Sequence, residues 1–268
     1  MYGAIIGDIV GSVYEFNNYR AKDFTLFKPE CFFTDDTVMT LAVAKSLLAY
    51  ERVTDGAAFR KTLIENMHEL GNKYILAGYG GRFLSWIMRG LTEPYNSYGN
   101  GSAMRASAVG WYADSLEEVI ELATATADVT HNHPEGIKGA VVAAGAVYLA
   151  RVGADKKEIR EFVEQYYKLD FTIDEIRPTY RFNETCQQTV PQAMEAFLES
   201  ESFEDCVRIS ISVGGDSDTL AAISCAVAEA YYGIPFTMRL QASSYLSITL
   251  ADILDEFEAK YMIGRERK

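Results

Sequence analysis

Apolar positions along this chain recur three and four residues apart, the spacing of a helix face. From Asp36 to Leu48 the stripe runs through Val38, Leu41, Ala42, Ala44 and Leu48. Residues 55–70 carry a second stripe through Ala58, Phe59, Leu63, Met67 and Leu70, and Gly71 stands where a helix would stop. Ser115 and Glu118 have the spacing of a capping box ahead of Val119, Leu122 and Ala123. Residues 136–151 are almost uncharged and rich in Ala, Val and Gly, which predicts a central helix buried on all sides. Residues 155–168 predict a surface helix with Ile159, Phe162, Val163 and Tyr166 turned inward. Further helices are expected from Ser202, over 219–232 (closed by Gly233-Ile234-Pro235) and over 244–261. Strand signals are few: residues 207–213 alternate as a strand would, and residues 170–173 are ambiguous. There is no βαβ alternation, repeat or linker. The expectation is therefore an all-α fold in one compact domain spanning residues 1–268.

Near the start, Gly3, Gly7 and Gly11 repeat at helical spacing, which predicts a short helix lying tightly against another. Asp8 sits on that apolar helix with no base nearby, so it needs a buried partner. Composition agrees with a globular chain: 49% hydrophobic residues and six prolines in 268. A net charge of -13 argues against a broad nucleic-acid footprint or contact with an anionic membrane. It leaves room for a phosphate-bearing small molecule in a local pocket. Cys31, Cys186, Cys206 and Cys225 are scattered without CxxC spacing, so a zinc site or disulfide scaffold is disfavoured and a cytoplasmic home is expected. No run of about 18 apolar residues suggests a membrane span. The opening residues lack the basic segment of a signal peptide. A monomer is the default expectation.

Chemistry is concentrated in two acidic clusters, Thr34-Asp35-Asp36-Thr37 and Gly214-Gly215-Asp216-Ser217-Asp218-Thr219. Each opens a helix pattern. One carboxylate per cluster can act as an N-cap, which is the ordinary reading. A second carboxylate in each remains unrelieved, and no Lys or Arg lies between Arg208 and Arg239. If the two helix starts meet, four carboxylates and two or three hydroxyls converge, a donor set suited to Mg2+, Mn2+ or Ca2+. The twelve-residue spacing of an EF-hand is absent. Glu15 closes the glycine-rich helix, where a carboxylate opposes the dipole.

Tyr98-Gly99-Asn100-Gly101-Ser102-Ala103-Met104-Arg105 frees backbone N–H groups ahead of a helix start, a recipe for holding phosphate, although an Asn-Gly turn reads similarly. It is not a Walker A loop. Gly78-Tyr79-Gly80-Gly81-Arg82 has the same ambiguity. His131 and His133 lack a third metal ligand nearby and are better read as a hydrogen-bonding or capping pair; His68 reads as structural.

In order, the segments GAIIGDIVGSVYE, FTDDTVMTLAVA, GYGGR, YGNGSAMR, Thr130-His131 and GGDSDTLAA resemble the ADP-ribosylglycohydrolase family, from residue 3 to about residue 222. The resemblance implies a compact all-α domain with a pair of Mg2+ or Mn2+ ions. Thr34, Asp35 and Asp36 would hold them on one side; Asp216, Asp218 and Thr219 would hold them on the other. It also implies Glu15, Asp35 and Asp36 as catalytic candidates, with Glu15 on a mobile flap. Gly99, Asn100, Gly101, Ser102 and Met104 would lie along a diphosphate, His131 would line the ADP-ribose site, and Tyr98 and Gly80 would help enclose the distal ribose. The implied reaction cleaves the N- or O-glycosidic bond between ADP-ribose and an acceptor, either a protein side chain or a small conjugate, releasing ADP-ribose. Arg20 and Lys22, in the candidate flap over 17–33, read as surface residues. The competing readings are a two-metal phosphoester hydrolase, a non-catalytic ADP-ribose-binding protein, and a helical protein whose acids are all caps.

Overall fold

In the computed structural model, which describes residues 1–264, the regular structure is helical, apart from one isolated antiparallel bridge between Gly99 and Thr185. The helices are α1 (Tyr2–Gly11), α2 (Asp35–Leu48), α3 (Gly56–Lys73), α4 (Gly81–Met88), α5 (Gly101–Met104), α6 (Ser107–Tyr112), α7 (Leu116–Asp128), α8 (Pro134–Arg151), α9 (Lys156–Glu164), α10 (Ile173–Ile176), α11 (Cys186–Glu199), α12 (Phe203–Val213), α13 (Ser217–Tyr232), α14 (Phe236–Ser243) and α15 (Ile248–Tyr261). Among the described residues, none of these helices is long and apolar enough to cross a membrane.

The glycine repeat determines the centre. α13 is buried from Ser217 to Ala230, and every residue of α1 is buried. The two helices meet backbone to backbone. A Cβ on Gly3 would lie 2.2 Å from the Cys225 carbonyl oxygen, one on Gly7 2.2 Å from that of Ala221, and one on Gly11 2.4 Å from the Asp218 Cα. At its first turn, the Met1 ammonium lies 2.9 Å from Glu229 and 2.7 Å from Glu258, and Gly3 N–H donates to Glu229 Oε2. α8, α11 and α12 complete the layer around α13, and α8 in turn carries α5, α6 and α7.

α1 also fixes α2, because Asp8 finds its buried partner there. Its carboxylate accepts from Thr34 N (2.9 Å), Thr34 Oγ1 (2.7 Å), Thr37 N (3.1 Å) and Thr37 Oγ1. A carboxylate from one helix thus serves the free N–H groups and positive dipole end of another.

Three expectations are corrected. Residues 207–213 are helical, within α12, which begins after its N-cap Ser202, where the sequence predicts a helix start. Apart from Arg208, the alternation there is between large and small residues that are all buried. Ser210 and Ser212 satisfy their hydroxyls by donating to the Cys206 and Ile209 carbonyls one turn back, so they need no solvent face. Gly71 does not end α3, which runs on to Lys73; a Cβ there would lie 2.5 Å from Ile87 Cδ1, so the glycine admits α4. The helix expected over 244–261 begins only at Ile248, capped by Ser247, and α14 precedes it. The ambiguous 170–173 is not a strand: Thr172 forms a capping box with Glu175 at the start of α10.

Because the atoms facing Gly7 are backbone, they cannot yield as a side-chain tip would. Gly7→Ala should lower unfolding stability by about 3 kcal/mol or prevent folding. Gly56→Ala, whose Cβ would meet only the tip of Arg60, should change it by about 1 kcal/mol or less. Urea unfolding of both variants checks this, and equal midpoints would contradict it.

Candidate active site

Because α1 holds both α2 and α13, the starts of those helices meet. Thr34 is the N-cap of α2: its Oγ1 accepts from Asp36 N at 3.2 Å while donating to Asp8. The Asp35 and Asp36 carboxylates are therefore free of capping duty. Asp36 Oδ2 accepts from Thr219 Oγ1 of α13 at 3.1 Å, and its buried Oδ1 has no partner. On the other side, Asp216 occupies the N-cap position of α13 without a side-chain cap bond, and its Oδ2 accepts from Asn100 Nδ2 at 2.6 Å. Asp218 Oδ1 accepts from Thr219 N at 3.0 Å. Glu15 does not close α1, which ends at Gly11 with Ser12 as its C-cap; it enters from the segment that follows. One oxygen each from Glu15, Asp216 and Asp218 lie within 4.8 Å of one another.

The electrostatics of this cluster are one-sided. Burial pushes the Asp35, Asp36 and Asp218 carboxyls well above the usual range, and the neighbouring charges that push them further are all carboxylates. Burial also raises Asp216. Burial, then Asp216, Asp8 and Glu184, raise Glu15 to about 7. Massed oxygens without a counter-charge, one of them buried and unpartnered, are the donor set of a hard divalent cation, and the residues fit such an ion.

These acids line a cavity of about 220 Å³ together with Gly80, Gly99, Asn100, Gly101, Met104 and His131. His131 experiences the opposite field. Burial, then the Arg105 and Arg82 guanidiniums, hold its pKa well below the ordinary value, so the ring is neutral. Its tautomer follows from the network. Thr130 Oγ1 accepts from Arg105 Nη2 at 2.9 Å, and among its hydrogen-bond partners only His131 Nδ1, at 2.8 Å, can take its proton, which assigns the ring proton to Nε2. Nε2–H lies over the glycine loop, where a Cβ on Gly101 would be 3.4 Å away. In that loop the N–H groups of Gly101 and Ser102 precede the first bonds of α5, which run from Ala103 N and Met104 N to the Asn100 carbonyl.

The structure thus gathers Glu15, Asp35, Asp36, Asp216, Asp218, Thr219, Gly80, Gly99, Asn100, Gly101, Met104 and His131 around one space. Three candidates stand apart from it. Thr34 lies behind the cluster, directed at Asp8. Ser102 is fully buried and donates to the Gly136 carbonyl at 2.7 Å. Tyr98, 46% exposed, places its ring 5.2 Å from that of His133. His133 itself N-caps α8, and His68 stacks on Trp86. Phe182 and Glu184 also line the cavity, and nothing in their local sequence marks them. They arrive because Glu184 O accepts from Asn100 N at 2.7 Å beside the Gly99–Thr185 bridge.

Comparison with known proteins agrees with the fold and with the family resemblance. A sequence profile described as ADP-ribosylglycohydrolase matches residues 1–260. Mouse ADP-ribosylhydrolase ARH3 is 27% identical over 87% of this chain and 82% of that protein. The ADP-ribosylarginine hydrolase Tri1 of Pseudomonas putida (strain GB-1) is 26% identical over 87% of this chain and 70% of its own length. The solved structure of an ADP-ribosylglycohydrolase-related protein complex shares the fold, with a TM-score of 0.71 and 22% identity over 97% of this chain and 94% of that one. The chain belongs to the ADP-ribosylglycohydrolase family.

Proposed function

We propose that this protein hydrolyses the N- or O-glycosidic bond between ADP-ribose and an acceptor, using a pair of Mg2+ or Mn2+ ions. The acceptor is a protein side chain or a small conjugate, and ADP-ribose is the product. The observation that carries the reading is the buried, unpartnered Asp36 Oδ1 inside a cluster of carboxylates that shares its cavity with His131 and the glycine loop. The relatives named for ADP-ribosyl hydrolysis support it.

Asp35, Asp36, Asp216 and Asp218 would hold the ions, joined by Thr219, while Thr34, turned to Asp8 behind them, would support the start of α2. The Thr219 hydroxyl donates its proton to Asp36, so it presents only lone pairs to a cation. When bound, such ions supply Lewis-acid stabilisation and a clamp for vicinal ribose hydroxyls. Cleavage at the ribose C1″ builds positive charge on the ring, and the acid cluster faces that charge. Glu15 is partly exposed and reaches the cluster from outside the helix starts, so it can exchange a proton with the leaving group or a water and then with solvent. Asp35 is the other partly exposed carboxyl of the cluster. His131 Nε2–H and the Gly101 N–H would donate to the diphosphate, orienting the ligand along the cavity.

Replacing Asp216 and Asp218 together by Ala should reduce ADP-ribose release at least about 10³-fold on whichever of arginine-, serine- and acetyl-linked substrates the wild type turns over. Wild-type turnover by the double variant would overturn the reading.

A pH signature follows from the raised carboxyls. In the ion-free protein, Glu15 in the folded state keeps a proton that the unfolded chain releases between its ordinary 4.5 and about 7. That contribution to stability is full below the unfolded value and is lost as pH rises through about 7. Mg2+ competes with those protons, so it should raise the thermal midpoint more at about pH 8 than at about pH 5.5. A Mg2+ shift independent of pH, read by calorimetry, would remove these carboxyls from ion binding.

A further inference from the structure

The segment joining α1 to α2, residues 13–33, carries Glu15 into the cluster. Its far part is held by Arg208, which donates to the Lys22 and Phe24 carbonyls at 2.9 and 2.8 Å, and by Tyr245, which donates to the Lys28 carbonyl at 2.9 Å. These anchors lie well beyond Glu15. On either side of Glu15, Tyr14 is buried against Tyr19 and Phe24, while Phe16 is 83% exposed with its ring 5.8 Å from that of Phe182, and Asn17 is exposed.

Two polar side chains add hydrogen bonds to this packing from just downstream. Asn18 Oδ1 accepts from Gly215 N at 2.5 Å. Arg20 spreads its guanidinium over three carbonyls: Nη1 donates to Arg177 O and to Val213 O (3.1 Å), and Nη2 donates to Tyr180 O (2.6 Å). Val213 is the last residue of α12, and Arg177 and Tyr180 follow α10, so the cation sits where helix ends leave carbonyls unpaired and the dipole negative. The receiving turn is shaped around these side chains. Gly214 and Gly215 have φ of 77° and 73°, a region that glycine occupies without strain. A Cβ on Gly214 would lie 2.7 Å from Asn18 Oδ1 and 3.3 Å from Arg20 Cζ. The next residue is Asp216. Neither Asn18 nor Arg20 lines the cavity.

We infer that Asn18 and Arg20 are positioning residues that buckle this segment to the Gly214–Gly215 turn, bringing Glu15 and Asp216 to the cluster from opposite sides. The inference rests on the proposed hydrolase reading for the task given to Glu15, while the buckle itself is a property of the fold. It assigns Arg20, which reads from sequence as a surface cation, a role that no local pattern announces. It also accounts for the paired glycines: they accommodate the buckle as well as starting α13.

The test uses Asn18→Ala, whose exposed side chain can be lost without emptying the core, together with Arg20→Ala and Arg20→Lys, all in the full chain with Mg2+. Hydrogen exchange of residues 13–21 and of the Gly215 amide should quicken about tenfold in both alanine variants, the effect of losing one or two hydrogen bonds that close a local opening. The kcat should fall by about tenfold or more while the Kd for ADP-ribose stays within about twofold, because His131 and the glycine loop are untouched. Arg20→Lys should recover part of the kcat, since a lysine satisfies fewer carbonyls than the guanidinium fork. Wild-type exchange over 13–21 in both alanine variants would overturn the inference. So would faster exchange in every helix with parallel losses of ADP-ribose affinity and kcat, the mark of general destabilisation. If the wild type hydrolyses none of the three substrate classes, the hydrolase reading fails, and the exchange measurement still decides the buckle.

Discussion

The backbone contact between α1 and α13 is the constraint on which the rest of the structure depends. Two helices can approach this closely only where no side chain stands between them, and Gly3, Gly7 and Gly11 provide that bare face. The contact does more than fill the centre. It brings the end of α1 against Asp218, so the segment leaving α1 reaches the acids at the start of α13. From the same helix, Asp8 grips the first turn of α2 through Thr34 and Thr37. One short apolar helix thus sets the separation of two acidic helix starts that lie about 180 residues apart in the chain.

That arrangement opposes the ordinary economy of folding. Carboxylates are drawn out of water and placed beside one another without a base, which raises their pKa values and burdens the folded state. The stability lost there is offset by a core that runs through α1, α13 and α8 with scarcely an exposed residue. Elsewhere the molecule treats buried charge conventionally: Met1, Glu229, Glu258 and Arg239 neutralise one another, and Arg151 is capped by the Trp111 and Ala113 carbonyls. The contrast marks the acid cluster as the place where the sequence breaks its own rules.

Much of this was legible from the chain, for reasons particular residues make plain. The glycine spacing announced a close helix contact because the period of a helix is fixed. The solitary Asp8 demanded a partner because a buried carboxylate cannot go without one. The doubled acids at two helix starts exceeded what capping needs, and here Thr34 caps while Asp35 and Asp36 do not. Other features depended on distance in space. Residues 207–213 mimicked a strand because Ser210 and Ser212 are small enough to be buried and bond back to their own helix. Glu184 reaches the cavity only through its pairing with the Asn100 segment, and Arg20 finds its carbonyls near residues 177–180 and 213, links that no local window contains. Ser102 and Tyr98 belong to a motif whose neighbours face the cavity, yet the turn of the chain sends one inward and the other outward.

The neutral state of His131 carries a consequence for molecular selection. With Thr130 and Arg105 fixing its proton on Nε2, the ring offers a directed donor without a formal charge. Recognition of this kind discriminates by where a ligand's oxygens point rather than by how much charge they bear, because a misdirected donor loses its bond while a misdirected ion pair loses little. A ligand held through such donors also leaves without separating an ion pair. Under the proposed function, selection of the diphosphate and ease in letting it go would then share a single origin: the orientation of one imidazole.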